Sequence, residues 1–311
     1  MNQNGAHYYR VEHHTAYGYS EPSMLSHQQL HLTPRPLIHQ STRAHHLTVE
    51  PAPTLQREFI DAFGNPVTEI AIESAHNDLA IIARTDVVVM ERVKIELSET
   101  PGWESVRDAL RYRAAWHPSP EVLEATQFLF ESPHARIKRD LRAYASDCFL
   151  PGRTVLEAAR ALMGKIHGGF KYESNSTGVG TPVMKFFEQR RGVCQDFAHL
   201  MISCLRSTGL AARYVSGYLL THPASDKRRR IGADASHAWV SLFVPGKGWV
   251  DLDPTNDVIP SLEHITIGWG RDFSDVTPLR GVINGGGIQT LDVKVTVKPI
   301  ENGGMGSSSR D

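Results

Sequence analysis

The chain has 311 residues, of which 41% are hydrophobic, and its 33 basic and 34 acidic side chains leave a net charge of −1. This length exceeds the usual size of one domain, so two domains are expected. The balanced charge argues against a protein dedicated to binding nucleic acid or an anionic membrane. No run approaches the roughly 20 apolar residues that span a bilayer. The first residues lack a secretory signal, and the three cysteines form no disulfide framework, so a cytoplasmic location is predicted.

The first hundred residues have the pattern of short β-strands. Aromatic and β-branched residues are concentrated in residues 8–14, and residues 29–33 alternate between apolar and polar. The sequence DAFGNP at 61–66 is a strong turn signal between the strand-like runs 57–60 and 67–72. Several short strands at close spacing predict an antiparallel β-sandwich over residues 1–100.

A helical pattern begins near Pro101. Apolar residues recur at helical spacing in four segments, which are 105–115, 120–130, 137–145 and 154–166. Strand-like runs return at 212–219, 237–244, 249–252 and 289–297. Residues 101–302 are therefore predicted to form a second domain of the α+β class, in which helices lead into an antiparallel sheet. The Gly/Ser-rich residues 303–311 are predicted to be a disordered tail.

Cys194 is a candidate nucleophile because it begins a predicted helix over residues 194–209. Phe197, Met201 and Leu205 lie on one face of this helix. Unpaired backbone N–H groups and the helix dipole favour an anion in the first turn, so this position favours a thiolate, the reactive form of cysteine. A cysteine here can equally be a small buried hydrophobe, and its position alone does not decide between the two interpretations.

His237 and Asp253 lie on a predicted hairpin whose strands cover residues 237–244 and 248–253. An odd loop such as residues 244–246 would place His237 directly opposite Asp253, with their Cβ atoms about 4.5–5.5 Å apart. An even length would place them on opposite faces unless a bulge intervened. In the expected arrangement Asp253 accepts a hydrogen bond from Nδ1 of His237, which leaves Nε2 for the thiol.

The three segments together resemble the core of the transglutaminase-like superfamily, in which a Cys at a helix start precedes a His-Ala-Trp and an Asp-Pro-Thr motif. The corresponding sequences are GVCQDFA at 192–198, HAWV at 237–240 and DPTN at 253–256. Residues 9–35 and the DAFGN sequence at 61–65 resemble the N-terminal β-domain of bacterial transglutaminase-like proteins. Residues 267–287 are similar to the C-terminal part of that family. The resemblance implies a papain-like core of helices packed on an antiparallel sheet.

The resemblance also implies a papain-like mechanism. The Cys194 thiolate attacks an amide carbonyl of a peptide or protein, and His237, oriented by Asp253, protonates the leaving amine. The backbone N–H of Cys194 would help to hold the oxyanion, whereas the second donor is not identified. Water or an amine then resolves the acyl-thioester. The site residues do not separate a hydrolase from a transglutaminase, although the protease-like character of bacterial relatives favours amide hydrolysis.

Other functions remain open from the sequence alone. A non-catalytic module that binds peptides or proteins could retain the fold. A peptide N-glycanase-like amidase shares it, but the cysteine-rich zinc module that would support this activity is missing from the sequence. The expected partner is a peptide or protein substrate, with no nucleic acid, membrane, cofactor or metal. The oligomeric state is open and includes a homo-oligomer.

Several residues near the candidate site have weaker predictions. Trp239 would share the face of His237 and either line the site or pack in the core, while Gly217 and Tyr218 are expected to pack. The basic run 227–230 is predicted to be a solvated loop, and residues 173–181 are a candidate for closing the cleft.

Overall fold

The structure, a computed structural model, describes residues 5–113, 117–174, 176–222, 230–231 and 235–301. The predicted tail 303–311 and residues 227–229 of the basic run lie outside this part of the chain. The predicted α+β class is confirmed, since a seven-stranded antiparallel sheet is joined to a unit of helices and a four-stranded sheet.

The N-terminal part of the chain forms five antiparallel strands. They are β1 (Ala6–Leu30), β2 (Gln40–Glu50), β3 (Leu55–Ile60), β4 (Pro66–Ile72) and β5 (His76–Met90). The 25-residue β1 pairs with β5 along its first half and with β4 along its second half, and its register shifts between Gly18 and Ser23. Such irregularities bend a strand. Tyr19 and Leu30 of β1 therefore meet Leu79 of β5 in one core.

Four helices follow, close to the predicted segments but shorter at four of their eight ends. They are α1 (Trp103–Leu110), α2 (Pro120–Thr126), α3 (Arg139–Ala145) and α4 (Val155–Gly169). A capping box begins α4, because the Thr154 hydroxyl accepts a hydrogen bond from Glu157 N while the Glu157 carboxylate accepts one from Thr154 N. The helix ends at Gly169, three residues beyond the predicted segment.

The next elements contain the three segments with Cys194, His237 and Asp253 or lie next to them. They are β6 (Lys171–Tyr172), α5 (Val183–Gln189), β7 (Arg191–Gly192), α6 (Cys194–Ser207), β8 (Ala212–Leu219), β9 (His237–Val244), β10 (Gly248–Leu252) and β11 (His264–Gly270). The four-stranded sheet has the order β10-β9-β8-β11, and α6 packs against its β8 and β9 strands. Every residue of α6 from Asp196 onward is buried. No helix in the described part of the chain is long and apolar enough to cross a membrane.

The last two strands return to the first sheet. They are β12 (Leu279–Gly285) and β13 (Gln289–Pro299), and both pair with β1. The division expected from the sequence places these residues with the helices, in a domain that extends from 101 to 302. A strand pattern shows which residues are extended but does not name their partner, so this return was not predictable. Val295 and Val297 share a core with Tyr218 and Ile265 of the four-stranded sheet, which joins the two sheets.

Gly217 is a position at which the packing of β8 leaves no room for a side chain. It pairs with His237, and an added Cβ would collide with the carbonyl oxygen of Ile265 and the indole of Trp239. We expect Gly217→Ala to lower the free energy of unfolding by about 1–3 kcal/mol, as overpacking does. Urea denaturation would measure it.

The matched control is Gly168→Ala in α4, where a Cβ would meet no heavy atom within 4 Å. This change is expected to raise stability by about 0.5–1 kcal/mol, because alanine loses less conformational freedom in a helix. Equal stabilities for the two variants would show that β8 is not packed in this way.

Candidate active site

Cys194 is the first residue of α6, as predicted, and its thiol is free and partly exposed. The preceding Val193 is extended, and its N–H donates a hydrogen bond of 2.9 Å to Oδ2 of Asp196. The backbone N–H groups of Asp196 and Phe197 bond to the carbonyl of Val193. The first N–H groups of a helix have no partner within it, so those of Cys194 and Gln195 are available to an anion that binds beside the thiol.

Gly192 permits the close turn that leads into α6. An added Cβ would lie 2.5 Å from Oδ2 of Asp196 and 2.7 Å from the ring of Phe186. Any other residue at this position would therefore displace the carboxylate that fixes the start of the helix.

His237 and Asp253 are adjacent, but not through the register expected from the sequence. The hairpin loop is odd in length, since Val244 pairs with Gly248. Leu252 pairs with Val240, however, so a continued β10 would place Asp253 opposite Trp239. The prediction that Asp253 lies directly opposite His237 was therefore wrong. The two side chains still meet, with 2.8 Å between Nε2 of His237 and Oδ2 of Asp253, because the chain turns at Asp253 beyond the end of β10.

The imidazole of His237 is also rotated relative to the expected orientation. Its Nε2, not its Nδ1, faces Asp253. Its Nδ1 is buried and has no partner in hydrogen-bonding geometry among the described residues, although Cys194 is near enough to raise the pKa of His237. Nδ1 is therefore the nitrogen available to the thiol. The sequence could not distinguish the orientations, because either ring nitrogen can face a carboxylate.

The electrostatics of the site favour an ion pair. Burial by itself would lower the pKa of His237, but the charge and hydrogen bond of Asp253, with a smaller contribution from Cys194, raise it from 6.5 to about 10. Burial likewise opposes ionisation of Asp253, yet the charge and hydrogen bond of His237 hold its pKa well below the usual value. At neutral pH the pair is imidazolium and carboxylate, and a cation beside a thiol favours the thiolate.

Asp253 is fully buried and has five hydrogen-bond contacts. Its Oδ1 accepts from the backbone N–H groups of Thr255 (3.0 Å) and Asn256 (3.2 Å). Its Oδ2 accepts from Nδ2 of Asn256 at 2.8 Å and lies 3.2 Å from Nε2 of His264. Sequence reasoning assigned no role to Asn256, although it belongs to the DPTN motif. It missed His264 altogether, since this residue begins β11, a strand that was not predicted.

Two neighbouring aromatic residues have packing roles. Trp239 is fully buried, donates from Nε1 to Oδ2 of Asp251 at 3.0 Å, and lies 6.1 Å from the His237 ring between centroids. Its indole therefore packs beside His237 in the candidate site. Tyr218 is buried between the two sheets, with its hydroxyl 2.7 Å from Nδ1 of His13, so the predicted packing role is confirmed.

The segment 173–181, apart from residue 175, contacts the first turn of α6. The Thr177 hydroxyl donates to Oδ2 of Asp196 at 2.6 Å, and Nε2 of Gln195 donates to the carbonyl of Val179 at 3.2 Å. These bonds hold the segment beside Cys194, where it forms part of the rim of the site.

Metal binding by the same side chains would compete with this arrangement. Ligand atoms of His237, Asp253 and His264 all lie within 4.8 Å of one another, and these residue types bind zinc. Oδ2 of Asp253 and both Nε2 atoms are, however, already joined by hydrogen bonds. A metal ion would have to displace all of them.

Comparisons with known proteins identify the family of this chain. Residues 142–254 match the family described as the transglutaminase-like superfamily, and residues 9–88 match the bacterial transglutaminase-like N-terminal region. An uncharacterised protein of Mycobacterium tuberculosis is 40% identical, over 96% of this chain and 95% of its own length. A protein-glutamine gamma-glutamyltransferase of Pseudomonas aeruginosa is 36% identical over 30% of this chain and 15% of its own length.

The fold has a counterpart among solved structures. A candidate cysteine protease from Cytophaga hutchinsonii superposes with a TM-score of 0.72, at 19% identity, and the match covers 96% of this chain and 92% of that one. At this identity the likeness shows the fold alone, and the match includes both the β-rich and the helical part of this chain.

The His237–Asp253 pair predicts a pH-dependent stability. A raised folded-state pKa contributes stability that is fully present below the unfolded value of 6.5 and is lost as the pH rises through about 10. We expect the stability advantage of the wild type over His237→Gln to shrink between those pH values by on the order of a few kcal/mol. Urea denaturation across this range would measure it. An advantage that stays constant would show that His237 is not paired as a cation.

Proposed function

Because the chain belongs to the transglutaminase-like superfamily, we propose that it is a thiol-dependent acyl-transfer enzyme that attacks amide bonds of peptides or proteins. The observation that carries the proposal is the buried 2.8 Å pair of His237 and Asp253 with Cys194 at the start of α6. Cys194, His237 and Asp253 are the proposed catalytic residues.

In the first step, Sγ of Cys194 attacks the carbonyl carbon of the amide, and the carbonyl oxygen becomes an oxyanion. The free N–H of Cys194 at the helix N-terminus can donate to this oxygen, a contribution worth about 3–4 kcal/mol for one donor in comparable sites. The thiolate needs no base at this moment, because His237 already holds the proton.

In the second step, His237 gives the proton on Nδ1 to the leaving amine, and the C–N bond breaks to leave a thioester on Cys194. His237 then accepts a proton from the incoming nucleophile and keeps it as Cys194 leaves as a thiolate, which restores the starting ion pair. Asp253 keeps the ring in place through Nε2 during both transfers.

The nucleophile that resolves the thioester decides between a hydrolase and a transglutaminase. We propose hydrolysis as the main outcome, with transfer to an amine as the alternative for the same intermediate. The partial match to a glutamyltransferase makes a glutamine side-chain amide one donor to examine. The proposed partner is accordingly a peptide or protein substrate.

We also propose a cytoplasmic location, which the three free thiols support, because disulfides are rare in that compartment. Fractionation of cells that express the native chain would test it, and recovery outside the cytoplasm would contradict it.

Selective labelling of Cys194 would test the proposed site without knowledge of the substrate. In native protein at neutral pH, we expect iodoacetamide to label Cys194 at least about tenfold faster than the buried Cys148, since the thiolate is the nucleophile. Mass spectrometry of each cysteine gives the rates. His237→Ala should slow the labelling of Cys194, whereas the matched control Cys148→Ser should leave the labelling rate of Cys194 unchanged. Equal labelling of Cys194 in native wild type and His237→Ala would contradict the proposal and favour a non-catalytic binding module.

The choice of acceptor has its own test. Glutamine-containing peptides would be incubated with the enzyme and a labelled primary amine, and released ammonia and incorporated label would both be measured. Ammonia release without incorporation is the expected result, and Cys194→Ala should abolish it. Stoichiometric incorporation of the amine would assign a transglutaminase instead.

A further inference from the structure

His264 is a buried histidine that touches the same carboxylate as His237. It begins β11, is 1% exposed, and places its Nε2 3.2 Å from Oδ2 of Asp253. The centroids of the two imidazole rings are 6.3 Å apart, and the Trp239 indole lies edge-on to His264 at 5.2 Å. The ring is thus fixed on one side by Trp239 and on the other by Asp253.

The chemistry of the contact specifies the tautomer of His264. An ionised carboxylate only accepts hydrogen bonds, so Nε2 must carry the proton. Burial, the largest effect, lowers the pKa of His264 below 6.5, and the positive charge of His237 acts in the same direction. The ring is therefore neutral at working pH, and Nδ1 is an acceptor. That Nδ1 is buried and has no hydrogen-bond partner among the described residues, in accord with its lack of a proton.

We propose that His264 is a positioning residue, whose neutral imidazole donates its Nε2–H to Asp253 and thereby keeps that carboxylate ionised and aimed at His237. The inference rests on the proposed function, since it concerns the acid–base pair that serves Cys194. His264 would thus be a fourth residue of the proposed site, beside Cys194, His237 and Asp253, and it would touch neither the substrate nor the thiol.

The need for this donor follows from the burial of Asp253. A charge without solvent requires hydrogen bonds to remain ionised, and three donors converge on Oδ2, from His237, Asn256 and His264. Loss of one donor raises the proton affinity of the carboxylate. Once Asp253 is protonated, His237 loses its counter-charge, becomes neutral, and no longer favours a thiolate at Cys194.

The charges that face His264 come from several elements. His237 on β9 belongs to the site itself and disfavours a charged His264. Arg230 also disfavours a charged His264, and its Nε is bonded to Glu263 at 2.8 Å. Asp253 favours the charged form, but burial, the His237 cation and Arg230 outweigh it and lower the pKa of His264.

Two substitutions separate positioning from simple packing. His264→Leu fills the space without a donor, whereas His264→Gln offers an amide N–H near the position of Nε2. Alkylation of Cys194 would be followed across pH in both variants. For His264→Leu we expect the acid limb of the profile to move up by about one pH unit, so that labelling slows about tenfold at mildly acidic pH and little at alkaline pH. His264→Gln should restore most of the wild-type profile.

A uniform loss at every pH, or equal losses in both variants, would overturn the inference and assign His264 to packing alone. Thermal unfolding of each variant would identify a folding defect.

The protonation state of His264 can also be measured in the wild-type protein, without any variant. Nitrogen-15 NMR of the imidazoles should show His264 neutral and protonated on Nε2 from mildly acidic to alkaline pH. A protonated ring, or a proton on Nδ1, would overturn the proposal. Because this result does not depend on turnover, inactive protein with the expected spectrum would reject the proposed enzyme but not the contact of His264 with Asp253.

Discussion

The burial of one carboxylate constrains the rest of the site. Asp253 has no exposed surface, and a buried charge is tolerated only when partners compensate for the lost water. Those partners come from β9, from β11 and from the turn at 254–256. The hairpin, the following turn and the edge strand β11 must therefore all be in place before Asp253 can be ionised. Since the imidazolium of His237 depends on Asp253, the reactivity of Cys194 depends on the same set of contacts.

Residues of the N-terminal part of the chain contact the four-stranded sheet that carries His237. Arg92, just after β5, donates to Oδ2 of Asp251 at 2.5 Å, and the same oxygen accepts from Nε1 of Trp239. Arg35 and Arg213 each lie 3.6 Å from the centre of the Trp269 ring, Arg35 from the N-terminal part and Arg213 from β8. These contacts, with the core shared by the two sheets, connect the N-terminal strands to the strand that begins at His237. The first sheet therefore helps to stabilise the strands that position the site.

The parts of the site that were predictable are those encoded locally. Helical spacing after Cys194 is read from neighbouring residues, and the helix it predicts was confirmed. The loop between β9 and β10 could be odd or even from the sequence, and the structure shows the odd length. Three other features depend on where the chain turns and how distant strands pack. They are the residue opposite Asp253, the rotation of the His237 ring and the contact of His264 with Asp253. His264 is one of sixteen histidines, and nothing near it in sequence marks it. The return of β12 and β13 to β1 is likewise a long-range pairing.

The central claim is that Cys194 and His237 form a thiolate–imidazolium pair that Asp253 maintains. The most direct measurement is the ultraviolet absorbance of the thiolate, recorded across pH for the native protein and for Cys194→Ser, and subtracted. The account predicts that one thiolate contributes to the difference at neutral pH, and that Asp253→Asn moves its appearance to alkaline pH. A difference that appears only at alkaline pH in the wild type, as for an ordinary cysteine, would contradict the account.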